Sequence, residues 1–90
     1  MIYETTDEII MNVAKRFRKI RKTKKVTQES LANISNVSYG TIKRFENTGE
    51  ISLHSLVKLC VALDILDDIN DLFTSVSFND IEEVIKYGKA

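Results

Sequence analysis

Residues 38–47, SYGTIKRFEN, gather side chains suited to multidentate hydrogen bonding around a residue that has no side chain. On a helix turning about 100° per residue, Ile42 and Phe45 fall on one side, and Gly40, Lys43, Arg44 and Asn47 on the other. Arg44 offers a planar fork of N–H donors, Lys43 a compact positive charge, and the neighbouring Tyr39 a ring with a hydroxyl. Gly40 is less favourable than alanine in a helix interior by roughly 1 kcal/mol, so its place at the centre of this face needs a reason. A side chain there would obstruct close approach to an acceptor-rich surface; the alternative is a tolerated surface glycine. This chemistry recognises rather than makes or breaks bonds.

Catalytic chemistry has little to work with. The one histidine, His54, has no cysteine at metal-ligand spacing, and no glycine-rich phosphate loop is present. Asp67 and Asp68, like Glu82 and Glu83, are sequence neighbours that point different ways on a helix and suit caps and solvated faces. Cys60 is the single cysteine, which excludes an internal disulfide and places a small hydrophobe at an apolar helix position. Neither an enzyme nor a metal or cofactor site is expected.

The 90 residues carry 13 basic and 13 acidic side chains, and the balance hides a polarity. Residues 15–25, KRFRKIRKTKK, hold eight lysines and arginines and no acid, whereas residues 47–90 hold three basic against eight acidic residues. A basic half can meet phosphate, although such a run also marks a solvated helix face. With 43% hydrophobic residues the chain is long enough for one core. The start, MIYETTDEII, has neither a basic leader nor an apolar signal core, and no apolar run approaches a membrane span, so a cytoplasmic protein is expected.

The elements that must hold this face are helices. No proline and only three glycines suit short helices and tight turns better than a sheet. Thr5 and Glu8 stand at capping-box spacing before a helix with Ile10, Val13, Ala14, Phe17 and Ile20 along one face. Thr27 caps QESLANI, Asn36 takes a left-handed turn, Ser38 caps the segment described above, and Gly49 stops it. Ser52 caps LHSLVKLCVAL, with Ile51 and Leu56 placed as a hydrophobic staple. Asp67 or Asp68 opens a short fifth helix, with Ile69, Leu72 and Phe73 facing inward.

Between Gln28 and Glu46 the apolar positions Leu31, Ala32, Val37, Ile42 and Phe45 pack two helices across a turn of about three residues, the pattern of a helix-turn-helix over 27–46. Here the chain resembles the lambda-repressor-like (Cro/repressor, Xre) helix-turn-helix proteins of bacteria and their phages. The resemblance rests on Ile20-Arg21, TQESLA from Thr27, NVS from Asn36, TIKRFEN from Thr41 and SLHSLVKLCVAL from Ser52. It implies an all-α, five-helix DNA-binding domain over residues 5–74, followed by a short tail over 75–90. It further implies a dimeric transcription regulator, most simply a repressor, on the bacterial nucleoid. Asn36 stands where glycine is common, Asp64 where ALG is usual, and Glu50 where many relatives offer basic groups to phosphate.

The resemblance makes the Ser38-capped helix the recognition helix, whose first half enters the major groove. Arg44 can then pair bidentately with guanine O6 and N7, and Lys43 can reach the same acceptors. Tyr39 can press on a thymine methyl or donate to phosphate, while Gly40 leaves room for close approach. Gln28 and Ser38 belong where helix N-termini meet phosphate. Thr41 stands at the flank, and Lys24 and Lys25 suit phosphate or solvent. The resemblance also sets Arg21 against Glu46 as a structural pair.

The run from Thr41 to Phe73 resembles, more specifically, small Xre regulators encoded beside HipA-type kinase toxins. That implies an antitoxin-like alternative in which a toxin docks on the acidic half. In the tail, Ile81, Val84 and Ile85 share helical spacing behind Ser77, and with Val76 and Phe78 they either serve association, as a homodimer or with a partner protein, or the tail folds back on its own domain or stays disordered.

Overall fold

Helix ends organise the fold, and almost every one has an identifiable chemical cause. In the computed structural model, which describes residues 4–75, the elements are α1 (Thr6–Thr23), α2 (Gln28–Ser35), α3 (Tyr39–Thr48), α4 (Leu53–Ala62) and α5 (Leu66–Asn70), with no strand among the described residues. Thr5, Thr27, Ser38 and Ser52 each accept a hydrogen bond from the backbone N–H three residues on, at 3.0–3.1 Å, which satisfies an otherwise orphaned donor in four helices. The box expected at Thr5 takes a variant form: the Glu8 carboxylate accepts from the Thr5 hydroxyl at 3.1 Å.

The C-termini are of two kinds. α1 and α4 end in six-residue loops closed by Val26 N–H to the Arg21 carbonyl and Ile65 N–H to the Cys60 carbonyl, with Lys25 (φ 61°) and Asp64 (φ 60°) left-handed between. α2 and α3 end in the simpler form, with Asn36 (φ 59°) and Gly49 (φ 83°) donating back to Ala32 and Phe45. Gly49 is required twice over. Besides its positive φ, a Cβ at this position would lie 3.0 Å from both the Ile10 side chain and the Ile10 carbonyl oxygen.

With the ends fixed, one face of each helix closes on a core of Ala14, Phe17, Leu31, Val37, Ile42, Phe45, Leu59 and Leu63. α1 packs on α3, α2 on α3 and α4, and α4 on α5. The Phe17 and Phe45 rings meet edge-on, centroids 5.3 Å apart at 63°, and join α1 to α3. Ile51 and Leu56 pack against this core, as the staple requires. Val13, expected on the inner face of α1, lies at its margin, 36% exposed.

The fifth helix departs from expectation. It begins at Leu66, with Ile65 in the cap position and no side-chain cap, so Asp67 and Asp68 fill its first turn instead of opening it. Only Ile69 is half-buried; Leu72 is half exposed and Phe73 is 89% exposed. The cause is the left-handed turn at Asp64, which seats Leu63 and Ile65 on the core and starts the next helix at once. Leu72 and Phe73 therefore stay outside it. The expected association segment, Val76 to Ala90, lies outside the described residues.

Candidate nucleic-acid interface

The turn between α2 and α3 is built by three residues. Val37 is buried at the corner, and its N–H donates to the hydroxyl of Ser35, itself buried, at 3.1 Å. Asn36 supplies the left-handed step. Ser38 then starts α3, whose inner face carries Ile42, Phe45 and Glu46, all buried. Geometry leaves Tyr39, Gly40, Lys43, Arg44 and Asn47 on the exposed face.

The angle of this face is locked from behind by a charged cluster. Arg21 of α1 donates through Nε and Nη2 to the two carboxylate oxygens of Glu46, each at 2.7 Å, and through Nη1 to the Val26 carbonyl at 2.8 Å. Gln28, first residue of α2, donates its amide to the same carboxylate at 2.9 Å. One carboxylate on α3 thus ties together α1, the link after it and the start of α2. Glu46 holds the Arg21 guanidinium above its usual pKa, chiefly by the hydrogen bonds it accepts, so the guanidinium stays charged. The partners expected of Arg21 and Glu46 are therefore found. Such a pair fixes geometry.

The residues expected to touch DNA fall into three groups. Tyr39, Gly40, Lys43 and Arg44 are brought together on the outer face of α3, and nothing lies within 4 Å of where a Cβ on Gly40 would stand. This glycine makes no room for a neighbour in the protein; the space in front of it is open. Ser38 and Thr41 form a second group, their hydroxyls 2.7 Å apart at the start of α3. One of the two donates to the other, so one hydroxyl proton remains for an outside acceptor. Gln28 stands apart, because one N–H of its side-chain amide is given to Glu46, which leaves the second amide N–H and the backbone N–H at the first position of α2. Lys24 and Lys25 are exposed in the link before α2, with Lys25 in the left-handed conformation.

One partner of an expected site residue was not legible beforehand. Arg44 donates through Nε to the Glu50 carboxylate at 3.1 Å, and its Nη2 reaches the same oxygen. The two residues are six apart, which is not a helical spacing, and they meet only because Gly49 folds the chain back. Thr48 stitches the turn by donating its hydroxyl to the Arg44 carbonyl at 2.7 Å and accepting from the Glu50 N–H at 3.1 Å. The signal available in the sequence was the left-handed stop at Gly49, which reverses the path of whatever follows it.

No cluster of metal-ligating side chains occurs among the described residues, and none of their helices is long and apolar enough to cross a membrane. Cys60 is buried, and burial pushes its thiol pKa up, with Asp68 adding to the shift, so the reactive thiolate is disfavoured at neutral pH.

A capped, corner-turned pair of helices presenting a basic face defines a helix-turn-helix DNA-binding domain. The chain matches the family model of the Cro/C1-type HTH DNA-binding domain over residues 16–77 and belongs to that family. No curated protein matches the chain.

Proposed function

We propose that this protein is a sequence-specific regulator of transcription that inserts α3 into the major groove of double-stranded DNA and acts by binding alone. Tyr39, Lys43 and Arg44 read base edges, Gly40 permits close approach, and Ser38, Thr41, Lys24, Lys25 and the N-terminus of α2 meet phosphates. The observation that carries this reading is the unobstructed outer face of α3, held at a fixed angle by the Arg21–Glu46–Gln28 cluster. Two copies would set their recognition helices about 34 Å apart on a pseudo-palindromic operator and repress by occupying it. Enrichment from a random-sequence duplex pool, followed by footprinting of the chain's own promoter, tests it: a two-fold symmetric site is expected, and enrichment of no sequence would overturn the reading.

On this reading the tail is the candidate association surface. Truncation after Ser75 should shift sedimentation from dimer to monomer and weaken operator binding while helical circular dichroism per residue persists. A truncated protein that still sediments as a dimer would remove the tail from the association surface. The antitoxin-like alternative predicts a stable complex with a HipA-type kinase, which co-purification after co-expression would detect.

A further inference from the structure

We infer that Glu50 is a specificity-determining residue that presents Arg44 to DNA; the inference rests on the DNA-binding reading above. A guanidinium carries five N–H donors. Glu50 takes the Nε–H and one Nη2–H, which leaves the other Nη2–H and both hydrogens of Nη1. Of these, one hydrogen on each Nη forms the end-on edge of the guanidinium, the edge that makes two parallel bonds to guanine O6 and N7. The carboxylate grips the side edge and leaves the reading edge free.

Position supports the same assignment. Glu50 is placed by a closed ring of hydrogen bonds: Thr48 hydroxyl to Arg44 carbonyl, Glu50 N–H to Thr48 hydroxyl, and Arg44 guanidinium to Glu50 carboxylate. The ring belongs to the end of α3 itself, so the acid moves with the reader. Arg44 and Glu50 side chains are 68% and 58% exposed, and an ion pair in such surroundings is too weak to hold Arg44 away from DNA as a latch. It is strong enough to restrict the rotamers of a long flexible side chain before contact, and restriction of this kind raises selectivity. The negative charge also opposes phosphate, so Glu50 lowers affinity for DNA of arbitrary sequence while sharpening the choice at one base pair.

The test uses the full chain, a duplex enriched by the wild-type protein from a random pool, and a scrambled duplex of the same composition at the same salt concentration. Glu50→Ala should lower the enriched-to-scrambled affinity ratio by about twofold, raise affinity for the scrambled duplex, and relax a guanine preference at one position on renewed selection. Glu50→Gln keeps an acceptor for Arg44 and should lose less. In an Arg44→Ala background, removal of Glu50 should leave the ratio unchanged. Equal gains on both duplexes would reduce Glu50 to simple repulsion and overturn the inference, and a rise in the ratio would make it a latch and overturn it equally. If the wild-type enriches a site and Glu50→Ala keeps the same ratio, only the role of Glu50 falls. If the wild-type enriches nothing, the DNA-reading function falls first.

Discussion

Arg21–Glu46 and Arg44–Glu50 are chemically the same pair, and both tie α3 to a neighbouring segment. The first is buried, with side chains 7% and 1% exposed, and each nitrogen of its guanidinium has an acceptor: Nε and Nη2 on the carboxylate and Nη1 on the Val26 carbonyl, with Gln28 completing the acid. The second lies in solvent, takes only one oxygen of its carboxylate, and leaves the outer edge of the arginine free. Burial converts one pair into scaffold because either partner alone would be an uncompensated charge in a poor solvent. Exposure leaves the other pair available, since water screens it and a new acceptor can join it. The same two side chains thus do opposite work on the two faces of one helix, and each consequence can be tested separately.

The largest effect is expected inside. Glu46→Ala should cost about 3–5 kcal/mol, because it strands the Arg21 guanidinium and the Gln28 amide together. For a small domain this is a large share of total stability, so urea unfolding would show a much lower midpoint or no folded baseline. Replacing both partners, Arg21→Met with Glu46→Leu, should recover part of the loss. Recovery stays partial because the Val26 carbonyl and the Gln28 amide still lack their partners. A loss below about 1 kcal/mol for Glu46→Ala would break the comparison, since the buried pair would then behave like a surface one.

Arg44→Ala should reverse the pattern. Stability should stay within about 0.5 kcal/mol of wild type, as for most surface changes. Affinity for the enriched duplex should fall by roughly 1–3 kcal/mol, with preference relaxed at one base pair and much less change on scrambled DNA. Fluorescence anisotropy at a single salt concentration measures both. Equal losses on the two duplexes would remove Arg44 from the reading set and leave Lys43 and Tyr39 as candidates.

Gly40 sharpens the contrast between the inner and outer faces of α3. No positive φ is required of it and no atom crowds it, so Gly40→Ala should raise thermal stability by up to about 1 kcal/mol through helix propensity. Gly40→Gln should remain folded but bind the enriched duplex differently. Wild-type binding by Gly40→Gln would end the close-approach argument.

How far these distinctions could be read in advance depended on whether local chemistry or chain path decided them. The caps at Thr5, Thr27, Ser38 and Ser52 were legible because a hydroxyl three residues before its target N–H needs no information from elsewhere. Asn36 was legible for a similar reason, being tolerant of the left-handed conformation it adopts. Arg21 and Glu46 came from family resemblance, since two charges twenty-five residues apart have no local signature. The commitment of Gln28 to Glu46 and the fold-back of Glu50 onto Arg44 were hidden because each depends on how one helix end is oriented against another. Leu72 and Phe73 misled for a related reason. Helical spacing shows which residues share a face, and it does not show that the core is already closed by Leu63 and Ile65.

The smallest effect tests the surface pair by the same measure as the buried one. A double-mutant cycle of Arg44→Ala and Glu50→Ala, read in thermal or urea unfolding, should give a coupling of a few tenths of a kcal/mol. Both side chains give up rotamer freedom to meet, and the Coulomb gain is spread through water, so little stability can remain. Salt should shrink the coupling further as the screening length falls below about 10 Å near 0.1 M ionic strength. The cycle has one complication: Glu50 also belongs to the turn through its N–H bond to Thr48, but alanine keeps that backbone donor, so the side-chain term is isolated. A coupling above about 1 kcal/mol, insensitive to salt, would mean that the surface pair is part of the scaffold after all. Arg44 would then have to leave a stabilising contact to reach a base, and the division of labour between the two faces of α3 would fail.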